Sequence, residues 1–244
     1  MIDYQGTVIP VSHYLMTGRK EGLYTAGLVA FKEKVPELHP VHGMADFEQA
    51  IKNALMTVFD GIDVHGCRFH FGQAVIKKLK AVGLQSEYLN TPAVKKWGKK
   101  YVALCTLPAH IIPEEFQKLK RETSLYPNRF VKKKMMKFEA YFTKYWMVQK
   151  TPSGFTTFGL RHRTNNSVES LHSQMQRSMS THPSLWRFLE ELVNNVIVPT
   201  EVVVKQINEG HTPREPMRRA RQLRAERQTL YEEKLSTNEW TPTR

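Results

Sequence analysis

The feature that most constrains this chain is a change of hydrophobic period. Up to Val82, short strand-like stretches alternate with helix-period stretches, and beyond Gly83 only the helix period remains. TVIPVSHYLM (7–16) reads as a strand closed by the turn-prone TGRKEG. LYTAGLVAFKEKV follows with Leu23, Ala26, Ala30 and Phe31 at helical spacing, and Pro36 and Pro40 enclose its exit. VHGMAD is a short strand ending in Asp46, after which Phe47, Ile51, Ala54, Leu55 and Val58 share one helical face. IDVHGCRFH reads as a further strand leading into a helix over 71–82, with Lys77, Lys78 and Lys80 on its outer side. Strands alternating with helices predict an α/β sheet.

Past residue 83 the segments VKKWGKKYVALCTL, PEEFQKLKRE and NRFVKKKMMKFEAYFTKYWMV are helix-like, and Phe138, Tyr141, Phe142 and Tyr145 fit a core stripe. A Gly-containing hinge, TPSGFTTFGL, precedes RHRTNNSVESLHSQMQRSM, which opens with the capping residues Thr164 and Asn165 and continues at helical period. HPSLWRFLEELVNNVIV restarts as a helix with Pro183 in its first turn. The tail is polar and rich in arginine, Arg218 and Arg219 included.

With 244 residues, one sizeable core and a smaller satellite are within reach. Lys+Arg 36 against Asp+Glu 23 gives a formal charge of +13, which favours a polyanionic partner such as nucleic acid. The only cysteines are Cys67 and Cys105, so a disulfide framework is not expected. No apolar stretch approaches the ~20 residues of a membrane span, and MIDYQGTVIP lacks a signal pattern. The expectation is an intracellular protein, nuclear or cytoplasmic, neither secreted nor membrane-bound.

Four constellations carry chemistry. Asp46 stands at the carboxyl end of a strand, where α/β folds bind ligands and a carboxylate holds a hard cation; it equally suits an N-cap. In TNNSVESLH, a helix sets Asn165, Glu169 and His172 at i, i+4 and i+7 on one face, with Val168, Leu171 and Met175 as the anchoring stripe; a solvated face fits the same spacing. HGCRFH gathers His65, Cys67 and His70, yet a structural zinc site needs four ligands and no second pair follows, so zinc is not expected. Basic residues interleaved with aromatics, as in KKWGKKY and RFVKKKMMKFEAYFTKYW, suit phosphate contacts and also lysine-faced amphipathic helices.

Taken together, VIPVSHYLMTGRKEGLYTAGL, MADFEQAIKNALMTVF, HGCRFHFGQAVIKKLKAVGLQSEY and RTNNSVESLHSQMQRSMSTHPSLWRFLEEL resemble the Mutator-like element (MULE) transposases, in that family's order and over most of residues 7–200. The resemblance implies a ribonuclease H-like mixed sheet with an α-helical insertion and a helical C-terminal part. It divides the chain into a first core segment (1–82), the insertion (83–158), helices completing the core (159–210) and a basic tail (211–244). It implies a metal-dependent Asp-Asp-Glu triad served by Mg²⁺ or Mn²⁺, with Asp46 second and Glu169 third. Cys67 and His70 match the family's Cys-x-x-His signature, and Asn165, Asn166 and His172 match the residues around its glutamate. DNA is the implied partner, in a homo-oligomer or transposase assembly, with Lys77, Lys78, Lys132, Lys133, Arg161, Arg163, Arg218 and Arg219 as phosphate contacts. The family's first aspartate belongs to an Asp-Gly-Thr-Phe type motif in a strand upstream of VIPVSHYLM. Its absence here, with that first strand, predicts weak metal binding and little catalysis by the chain alone; the alternative expectation is a transposon-derived binding protein without catalysis.

Overall fold

The structure, a computed structural model, describes residues 1–4, 7–178, 182–211, 229–230 and 233. The chain divides into two compact units, Leu15–Asn165 and Met1–Tyr14 with Asn166–Arg244. Among the described residues, no helix is long and apolar enough to cross a membrane.

The unit Leu15–Asn165 opens with helix α1 (Glu21–Lys34) and strand β3 (His42–Ala45), then α2 (Gln49–Val58) and β4 (Asp63–Gly66); strands β1 and β2 belong to the other unit. β3 and β4 run parallel, in the register His42↔Asp63 through Ala45↔Gly66, with α2 as the crossover. This is the strand–helix–strand order that the alternating periods predict. Val58, Phe59, Ile62 and Val64 form a small core beneath it, packed against Leu28, Phe31, Leu38 and Leu55.

Helix α3 (Arg68–Ala81) buries Phe71, Val75 and Leu79. It begins three residues earlier than the sequence suggests, because β4 ends at Gly66 and extended Cys67 is the cap. Then come α4 (Gln85–Asn90), α5 (Pro92–Ala103), α6 (Ile112–Ser124), α7 (Arg129–Phe142) and α8 (Pro152–Phe155), the hinge thus holding one helical turn. Asn128 caps α7 by accepting from the N–H groups of Phe130 and Val131 at 3.0 and 3.1 Å. From Thr143 to Lys150 the helix widens into a π-helix and stops at Thr151, whose φ of 60° is unusual for a β-branched residue.

These helices close on an aromatic core. Phe71 stacks on Phe155 at 4.9 Å and meets Trp146 edge-on at 4.6 Å, while Tyr101 meets Phe138 and Phe142 at 5.0 Å. Each such pair adds about 0.5–1.5 kcal/mol beyond the area it buries. One carboxylate lies inside: Glu139 accepts from Tyr101 Oη at 2.9 Å and Thr123 Oγ1 at 2.5 Å, and Trp97 Nε1 donates to Thr123 at 3.0 Å. Burial raises the pKa of Glu139 despite those hydrogen bonds, and burial followed by Glu139 raises that of Tyr101.

In the other unit, β1 (Ile2–Tyr4) pairs antiparallel with β2 (Thr7–Ile9). The strand expected over 7–16 is therefore only three residues long; Pro10, which has no N–H to donate, follows it. Among the described residues the strands thus form two separate two-stranded sheets within a mostly helical α/β chain. Helix α9 (Asn166–Ser178) carries the TNNSVESLH sequence, α10 (Leu185–Leu192) leads through a π-helical turn into α11 (Val198–Asn208), and Tyr4 Oη donates to Asn208 at 2.8 Å. Ser184 caps α10, accepting from Arg187 N–H at 3.3 Å, so Pro183 precedes the cap instead of lying in the first turn.

Candidate functional site

Asp46 is the first residue after β3, and its side chain is exposed. Its Oδ1 accepts from Glu48 N–H at 3.2 Å, a turn closed by an aspartate two residues back. Glu48, not Asp46, occupies the N-cap of α2 and makes no side-chain capping bond there. The N-cap alternative is thereby corrected: Asp46 shapes the approach to the helix and uses one carboxylate oxygen to do so.

Asp46 borders a concavity whose lining includes Phe47, Glu48, Lys52, Gly66, Lys150 and Gly154. Lys150 Nζ donates to the Phe47 carbonyl and to Gln49 Oε1, both at 3.0 Å. Burial, then the neighbouring Lys52, lowers the pKa of Lys150. Glu48 Oε1 accepts from Tyr24 Oη at 3.1 Å. The Phe47 ring lies so close over Gly66 that a Cβ on Gly66 would sit 2.1 Å from Cε1, which is why this strand end requires glycine. Phe47 also meets Trp146 edge-on at 4.7 Å, tying the residue after Asp46 to the aromatic core. Lys52, Lys150 and Glu48 escape a sequence reading; Lys150 reaches Phe47 across 103 residues, and no local pattern marks such a pair.

HGCRFH sends its three candidate ligands to different places. Cys67 Sγ–H donates to Asn165 Oδ1 at 2.9 Å, and Asn165 N–H returns a bond to the sulfur at 3.4 Å. His65 Nε2 meets Asp63 Oδ2 at 2.7 Å, while His70 is half-buried on α3 beside the Phe69 ring. Cys105, the other cysteine, is buried, and burial pushes its thiol up to about 12, an unreactive state.

Asn165 precedes α9, so the single helical row expected for Asn165, Glu169 and His172 is corrected: Asn165 is held by Cys67, and only Glu169 and His172 ride the helix. On α9, Val168, Leu171 and Met175 are half-buried while Ser167, Ser170, Ser173 and Gln174 are exposed, as an anchoring stripe requires. Glu169 is half-buried; His172 is exposed, and it is one of the charges that, after burial, lower the pKa of His13. Asn166 is the exposed first residue of the helix. Asp46 belongs to the unit Leu15–Asn165 and Glu169 to the other.

Of the expected phosphate contacts, Lys77 and Lys133 are exposed, Lys78 Nζ stands 4.5 Å from the Tyr141 ring centroid, and Lys132 Nζ donates to the Ser124 carbonyl at 3.4 Å. Arg161 is exposed, and the Arg163 carbonyl accepts from Arg68 N–H at 3.0 Å, at the start of α3. Arg218 and Arg219 lie outside the described residues.

Residues 1–74 match the family model of the MULE transposase domain. Over that stretch the chain is similar to the MULE transposases. No curated protein and no solved structure matches the chain. The matched MULE segment contains Asp46, Gly66, Cys67 and His70, so the strand–helix–strand unit and the start of α3 all fall within it. Asn165, Glu169 and His172 lie beyond it.

Proposed function

We propose that this chain acts in DNA transposition as a ribonuclease H-like domain in which Asp46 and Glu169 are carboxylate ligands for Mg²⁺ or Mn²⁺. The observation that carries the reading is the place of Asp46: first residue past a parallel strand, exposed, inside the MULE segment and bordering a concavity. The crevice at the carboxyl ends of parallel strands is where open α/β sheets bind ligands. An aspartate with one oxygen taken by a backbone N–H retains lone pairs for a hard cation, which selects oxygen donors. Divalent ions held there supply charge neutralisation at the attacking and leaving oxygens of a phosphodiester.

The chain's own residues would supply position and charge. The Cys67–Asn165 pair fixes the backbone one residue before α9 begins, four residues ahead of Glu169. Asn166, His172 and His70 act as supporting residues around the two carboxylates. Lys77, Lys78, Lys132, Lys133, Arg161 and Arg163, with Arg218 and Arg219 of the tail, contact phosphates, and Lys52 and Lys150 add positive charge beside Asp46. Binding to DNA is then largely electrostatic and falls steeply between low and physiological salt.

The test is Mn²⁺ binding to the full chain on duplex DNA, followed by electron paramagnetic resonance. Asp46→Asn and Glu169→Gln should each weaken binding at least about tenfold. Wild-type Mn²⁺ affinity in both variants would remove the assignment.

A further inference from the structure

Strand register places a second set of donor groups at the opposite end of β3 and β4. Successive strand side chains alternate faces, so Asp63 and His65 share one, and the register sets His42 beside Asp63 on that same face. The ligand atoms that His42, Asp63 and His65 offer all lie within 4.8 Å of one another. His65 Nε2 and Asp63 Oδ2 are 2.7 Å apart, and the two imidazole centroids are 6.3 Å apart. His65 is the buried member at 9% exposure, and its Nδ1 has no hydrogen-bond partner. His42 and Asp63 are exposed, which leaves their side chains room to adjust toward a common point.

From these donors we infer a site for one zinc-type divalent cation, held by His42, Asp63 and His65, with the remaining position open to water. Donors about 2.0–2.2 Å from a tetrahedral zinc stand about 3.3 Å from each other, so rotation of the two exposed side chains suffices to close the set. Two imidazoles and a carboxylate favour a borderline transition metal, whereas Mg²⁺ selects oxygen. His42 and Asp63 are the first residues of their strands, and Asp46 follows the last residue of β3. At a rise of about 3.3 Å per residue, His42 and Asp46 are roughly 13 Å apart along the strand, so the two carboxylates serve separate sites. An ion bridging His42 to Asp63 and His65 would also link the first residues of β3 and β4, which adds to the stability of a two-stranded pair.

The experiment is calorimetric titration of the full chain with ZnCl₂ at neutral pH, with Co²⁺ as a visible-absorbing probe of the same ligands. One ion should bind per chain, His42→Ala and Asp63→Asn should each weaken it at least about tenfold, and Cys67→Ala, His70→Ala and Asp46→Asn should bind as wild type. Zn²⁺ at a hundredfold excess over its Kd should raise the thermal midpoint of the wild type by about 5–10 °C and leave His42→Ala unmoved. Circular dichroism checks that the variants, both at exposed positions, keep their fold. Zn²⁺ binding that survives both variants, that is lost in Cys67→Ala or His70→Ala, or that never saturates would overturn the site. Retention in Asp46→Asn keeps this outcome independent of the Mn²⁺ reading.

Discussion

The aromatic helical core and the β3–β4 pair treat polar groups in opposite ways. In the core, Glu139 is enclosed by Tyr101 and Thr123 and serves only its neighbours. At the strand pair, Asp46, Asp63 and His42 are exposed at the strand ends, over a small core of Val58, Phe59, Ile62 and Val64. The enclosed carboxylate is used up by internal hydrogen bonds, whereas the exposed ones keep lone pairs for the ions proposed above. Phe47 joins the two, with its ring against Trp146 and over Gly66 and its backbone next to Asp46.

The largest effect should come from the core. Trp146→Ala removes a fully buried ring in contact with Phe71, Phe142 and Phe155 and should cost about 3–5 kcal/mol in urea denaturation. An unchanged midpoint would mean that the stability lies elsewhere. Gly66→Ala comes next, at about 1–3 kcal/mol, since the new methyl must displace the Phe47 ring. It should also weaken Mn²⁺ binding by shifting Asp46; loss of stability with unaltered Mn²⁺ affinity would uncouple the two regions.

Glu139 gives a smaller, pH-dependent effect. Its carboxyl is raised above the ordinary 4.5, chiefly by burial, so the folded chain keeps that proton after the unfolded chain has lost it. Its contribution is fully present below about 4.5 and is lost as pH rises through the folded value. Denaturation midpoints across that window should fall with a steeper slope in the wild type than in Glu139→Gln; equal slopes would assign the titration to other groups. Smallest of all, Asp46→Asn should change stability by no more than about 0.5 kcal/mol, as for exposed positions generally, while Mn²⁺ binding is lost. A large stability cost would make Asp46 a structural residue.

Much of this was legible locally. The strand at VHGMAD, the helix after it with Ala54 and Val58 buried, and the aspartate at the strand end all follow from hydrophobic period and match the elements found. Overreach came where alternation continued past a stop, as at Pro10 after β2 and at Gly66 before α3. The core stripe was half right: Phe138 and Phe142 are buried, Tyr141 and Tyr145 only partly, and Trp146 takes the inner position.

The sequence by itself determined the strand, the aspartate at its tip and the helix that follows, because hydrophobic period is a property of neighbouring residues. Only the tertiary structure decided partners. His65 sits close to Cys67 and His70 in the sequence, yet it joins Asp63 and His42, while Cys67 reaches Asn165 across 98 residues. Strand faces and crossover register set those pairings, and both depend on how distant segments close on one another, which no local window of sequence records.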